Sequence, residues 1–81
     1  MTTAAVTTEP RIAELRVTDA EIIAFLADGR SVSVPLEWSW RLAEATADQR
    51  NHWEILGDGA YVHWPEIEEN ISADKMLHGW P

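Results

Sequence analysis

Apolar and polar residues alternate through the first patterned part of the chain. In Arg11-Ile-Ala-Glu-Leu-Arg-Val17 and Glu21-Ile-Ile-Ala-Phe-Leu-Ala27, β-branched and apolar residues recur at the spacing of strands, with a Thr18-Asp19-Ala20 bend between them. The pattern predicts a hairpin. Asp28-Gly29 follows, a dipeptide that supplies positive φ for a tight turn, and Arg30-Ser-Val-Ser-Val34 then places Val32 and Val34 on one face. In the second strand Ile22, Ala24 and Leu26 share one face while Ile23 and Phe25 share the other. A sheet apolar on both sides needs a cover on the second, from a helix, the rest of the chain or another subunit.

Pro35 lacks the N–H that a ladder needs and can open a helix. Beyond it Leu36, Trp40, Ala43 and Ala47 fall on one stripe, and Trp38, Leu42 and Ala45 on the next, which fits a helical period with Glu37, Arg41 and Glu44 toward solvent. Thr46-Ala-Asp-Gln49 has capping-box spacing, so the helix is expected to break and restart for one or two turns through His52. Trp53-Glu-Ile-Leu56 and Ala60-Tyr-Val-His-Trp64 flank Gly57-Asp58-Gly59 as a second hairpin, which Pro65 ends. Ser72 caps a terminal helix over Ala73 to His78, with Ile71 and Met76 as a hydrophobic staple and Gly79 as its stop. The order of three-stranded meander, helix, hairpin and C-terminal helix predicts an α+β fold built on an antiparallel sheet of about five strands. Residues 1–10 carry no periodicity and read as a flexible N-terminal tail, leaving 11–81 as a single domain.

Composition narrows the function classes. A chain of 81 residues buries only about 60–65% of the surface its unfolded form exposes, yet five Trp among 46% hydrophobic residues are enough to close a small core. Six Lys and Arg against fourteen Asp and Glu give a net charge of −8, which repels phosphate backbones and disfavours direct nucleic-acid binding. The same charge speeds encounter with a basic partner. The absence of Cys removes disulfides, thiolate catalysis and the common structural zinc sites, and fits a reducing cytoplasm. No apolar run approaches the roughly 20 residues of a membrane span, and Met-Thr-Thr-Ala-Ala-Val lacks the basic start and apolar middle of a secretion signal. A cytoplasmic protein is expected.

Candidate chemistry is sparse. Glu66, Glu68 and Glu69 near His63 form a run of oxygen and imidazole donors, but without the alternate ligand positions and turn Gly of a hard-cation loop. On a strand, His63 points away from Trp64. Paired carboxylates such as Glu66 and Glu69 need a desolvating cleft to act as acid and base. Ser31, Ser33, Ser39 and Ser72 lack a nucleophile-elbow setting, and Asp28-Gly29 and Gly57-Asp58-Gly59 lack phosphate-loop spacing. No catalytic, metal or cofactor site is therefore expected. Among the tryptophans, Trp40 and Trp53 have apolar neighbours and are assigned to the core. Trp38, Trp64 and Trp80 adjoin polar residues, Pro65 or the terminus, and are assigned partial exposure.

The run Asp28-Gly29-Arg30, Val34-Pro35-Leu36, Trp38, Arg41-Leu42, Arg50, Trp53, Gly57, Gly59, Val62-His63-Trp64-Pro65, Glu68-Glu69-Asn70-Ile71-Ser72, Leu77 and Gly79 resembles the small bacterial family called domain of unknown function 2442. The likeness covers roughly residues 11 to 80. It implies an α+β domain, often encoded beside another small protein in arrangements like toxin and antitoxin pairs. The chain departs from the family pattern where Glu68 and Asn70 stand in place of Asp, and Tyr61 in place of a small Gly. These features together lead to the expectation of a non-enzymatic, acidic, antitoxin-like interaction module for a small basic protein. Trp64 and Trp38 are its expected apolar anchors, with Glu66, Glu68 and Glu69 as its charged rim. A nucleic-acid-related regulator or DNA mimic, and a small metal-dependent enzyme using Glu66, Glu69 and His63, are the alternatives. A homodimer through Ile23 and Phe25 is a competing use of apolar surface.

Overall fold

The computed structural model describes residues 10–79, so the expected tail, apart from Pro10, and Trp80 lie outside the described residues. Strands β1 (Ile12–Val17), β2 (Glu21–Leu26) and β3 (Ser31–Pro35) form the expected antiparallel meander. Leu15 pairs with Ala24, and Ala24 with Val32, which puts all three on the core side. Between Ile12 and Glu14 the register shifts by one residue. This bulge explains a pattern that strict alternation forbids: Ile12 and Leu15, three apart, are both buried. Thr18 closes the first bend, its hydroxyl accepting from the N–H groups of Ala20 and Glu21 at 3.0 and 2.9 Å. At the second, Gly29 N–H donates to Leu26 O at 3.0 Å and Leu26 N–H to Arg30 O at 2.7 Å, with Gly29 at φ +97°. The turn is thus a three-residue one in which Gly alone is left-handed.

The helix expected after Pro35 is broken earlier than Thr46. Leu36–Trp38 make one 3-10 turn, α1 spans Trp40–Ala43 and α2 spans Ala47–Arg50. Ser39 causes the break. Its backbone is extended (φ −117°, ψ 101°), and its hydroxyl accepts from Leu42 N–H, capping α1 as a new helix. The rotation this imposes buries Leu36 and Leu42 and turns Trp40 out, 64% exposed, which corrects its assignment to the core. The restart at Thr46 is as expected: a capping box joins Thr46 and Gln49 through both reciprocal bonds.

Strands β4 (Glu54–Leu56), β5 (Tyr61–Trp64) and β6 (Glu69–Ser72) form a second antiparallel sheet, in the order β4-β5-β6. The α+β class holds, but among the described residues six strands divide into two three-stranded sheets instead of about five in one. β6 is the strand that sequence patterning misses, because its inward positions are Glu69 and Ile71 and a carboxylate masks the alternation. α3 (Ala73–His78) starts as expected: Ser72 Oγ accepts from Lys75 N–H at 3.0 Å, and Ile71 and Met76 are both buried.

The two sheets meet where the Gly57–Gly59 turn lies on the start of β1. Gly57, Asp58 and Gly59 all have positive φ, and a Cβ on Gly59 would sit 2.9 Å from both the N and O of Ile12. Arg11 fastens the contact, its Nη1 donating to Asp58 O at 3.2 Å. The shared core centres on the fully buried Ile22, Leu42, Val62 and Trp64. On the outer side of the first sheet, Ile23 and Phe25 are half-buried, and the Arg16 guanidinium lies 5.6 Å from the Phe25 ring centroid.

Candidate interaction surface

The residues singled out from sequence are placed very differently by the fold. Trp64 is 0% exposed, and its indole N–H donates to Arg50 O at 3.0 Å. Its expected exposure is overturned, because β5 alternation aims positions 62 and 64 into the core. A side chain sealed in the core cannot touch a partner. Arg50 in turn binds α1: its Nε and Nη2 donate to Leu42 O and Ala43 O at 2.9 and 3.0 Å. These bonds satisfy carbonyls at the helix C-terminus, where a cation also opposes the helix dipole.

The three rim glutamates have three separate settings. Glu66 pairs with His52, and both side chains are about half exposed. Glu68 is exposed at the end of the Pro65–Glu68 turn, in a left-handed conformation at φ +53°. Glu69 faces inward on β6, and its Oε2 accepts from Ser39 Oγ at 2.5 Å. Ser39, only 2% exposed, thereby bonds β6 while capping α1. Glu69 is a structural acceptor more than a rim charge. His63 projects from the opposite side of β5, where its Nδ1–H donates to Asn70 Oδ1 at 2.8 Å. The strand pleat thus separates His63 from Glu69, and among the described residues no three His, Asp or Glu side chains gather as a metal-binding group.

Trp38, 40% exposed, is where sequence expected it, and Trp40 joins it on the surface. The Arg41 guanidinium lies 5.0 Å from the Trp40 ring centroid, and its Nη1 donates to Ile67 O at 3.0 Å. One arginine therefore clamps the indole to the β5–β6 turn. Between them runs an open cleft of about 220 Å³ lined by Trp40, Arg41, Glu44, Ala45, Gln49 and Ile67. A second cleft, of about 290 Å³, lies against Pro10, Ala60, Ser72 and Asp74. Both fall below the roughly 300–1,000 Å³ typical of small-molecule sites, and both are open. Sequence reasoning placed Arg41 toward solvent, where it is, but missed Trp40 and Ile67 as its partners there. The available signal was Ser39, a strong N-cap residue inside an apparent helix.

This meander, broken helix and second sheet are shared. The family model described as "Protein of unknown function (DUF2442)" matches residues 12–81. The chain belongs to the DUF2442 family. A crystal structure of a protein of unknown function from Rhodospirillum rubrum is similar to this DUF2442 chain, with 30% identity, a TM-score of 0.76 and 88% of each chain covered. The solution structure of an uncharacterized protein from Chromobacterium violaceum has the same fold, with a TM-score of 0.71 at 22% identity. It covers 85% of the DUF2442 chain and 65% of its own length. No curated protein matches the chain. Among the described residues, no helix is long and apolar enough to cross a membrane.

Proposed function

We propose that this protein is a non-enzymatic acidic module that binds a small basic protein, in the manner of an antitoxin. The supporting observation is the pair of exposed tryptophans, Trp38 at the end of the 3-10 turn and Trp40 at the start of α1, on either side of Ser39 in a chain with eight surplus carboxylates. Exposed aromatic rings are enriched at interface hot spots, and surrounding charge sets association rate and partner sign. The DNA-mimic reading needs carboxylates gathered on one face. Exposed Glu14, Asp28, Glu54, Asp58 and Asp74 come from β1, the β2–β3 turn, β4, the Gly57–Gly59 turn and α3.

The test is co-expression with the product of the adjacent gene, followed by size exclusion at about 50 and 500 mM salt. A complex at low salt that dissociates at high salt is the expected result, given a screening length that falls from more than 10 Å to a few Å. Absence of any complex at low salt refutes the proposal.

A further inference from the structure

Resting on that reading, we propose that the cleft between Trp40 and Ile67 receives a lysine or arginine side chain of the basic partner, with its aliphatic stem against the two apolar residues and its cationic head toward Glu44. Three features support it. First, the cleft volume of about 220 Å³ is that of about one large side chain, below the scale of a metabolite site. Second, its lining pairs apolar surface from Trp40, Ala45 and Ile67 with the carboxylate of Glu44, which suits a side chain with a long stem and a charged tip.

Third, the anchor is held before any partner arrives. Arg41 stacks on one face of Trp40 and is tied to Ile67 O, so the ring and the β5–β6 turn form fixed walls. Little side-chain entropy is then lost on binding. The charge surroundings favour a cation despite Arg41. The lining holds one carboxylate, Glu44, and one cation, Arg41, whose guanidinium is already committed to the Trp40 face and to Ile67 O, and the chain as a whole carries a net charge of −8. An anionic segment would meet Glu44 and this net negative charge.

The experiment titrates the full-length ¹⁵N-labelled protein with an octapeptide of alternating Lys and Ala at low salt, and with its counterpart bearing Glu for Lys. The expected result is saturable shifts of the Trp40 indole N–H and of the Ala45, Gln49 and Ile67 amides with the cationic peptide only. Trp40→Ala and Glu44→Lys should each weaken binding at least about tenfold, with the rest of the spectrum retained. Shifts centred on another surface, or a Trp40→Ala variant that binds like the parent, would overturn the cleft assignment while sparing the acidic-module reading. No binding of the cationic peptide, together with no complex in the co-expression test, would overturn both.

Discussion

Replacing Trp64 by Phe separates a core tryptophan from a contact tryptophan. The substitution removes the indole N–H, leaving Arg50 O without its 3.0 Å partner, at a cost of about 1 kcal/mol. It also leaves roughly 40 Å³ unfilled in a fully buried position, which at about 24 cal/mol per Å³ adds about 1 kcal/mol. The sum, about 2 kcal/mol, is a large share of the roughly 4–12 kcal/mol expected for a chain of this length. Urea unfolding followed by far-ultraviolet circular dichroism reads it directly. With a slope near 1 kcal/mol per M, the midpoint should fall by about 2 M. Trp40→Ala is the control: an exposed ring whose only described ring contact is the Arg41 stack should cost under about 1 kcal/mol. A midpoint shift below about 0.3 M for Trp64→Phe, or a larger loss for Trp40→Ala, would refute the assignment of these two rings.

Three further outcomes follow from local geometry. Ser39→Ala removes the cap of α1 and the donor to Glu69, and should lower stability by about 1–3 kcal/mol in the same urea assay; no change would show that the break in the helix is fixed elsewhere. Gly29→Ala meets nothing within 4 Å and should cost only the strain of positive φ, about 1–2 kcal/mol, whereas Gly59→Ala drives a Cβ into the Ile12 backbone and should cost at least about 2 kcal/mol more. Equal losses for the two would contradict the contact between the sheets. Asp28 should titrate below the ordinary aspartate value of 3.8, chiefly because the Arg30 backbone N–H donates to its carboxylate, with the Arg30 guanidinium at 2.8 Å adding to it. A depressed native pKa means the contribution is present above the unfolded value and lost as pH falls through the native one. Carboxyl NMR titration checks this. Arg30→Ala should move Asp28 only part of the way back, since the backbone donor remains.

Much of the fold was legible locally. Alternation gave β1 to β3, Thr46 and Gln49 gave the start of α2, and Ser72 with Ile71 and Met76 gave α3, because each depends on bonds among residues a few positions apart. Ala13's place in the bulge was not legible, nor was β6. Both depend on which strand lies alongside and which way it faces. The candidate surface was read only in part. Trp38 was placed correctly, whereas Trp40 and Trp64 exchanged roles. Their flanking residues suggested one environment, while the phase of α1 and the pleat of β5 imposed the other.

The amino-acid sequence by itself determined the class of the domain, its acidic charge, the turns of the first sheet and the caps of α2 and α3, since these follow from side-chain chemistry within one turn or one strand. Tertiary structure decided which rings meet solvent. The bond of Ser39 to Glu69, thirty residues apart, ties the capped break in the helix to β6, a strand that no local window contains. A pairing over that distance is chosen by what the whole core can bury, and Trp64 within it and Trp40 outside it are the consequence.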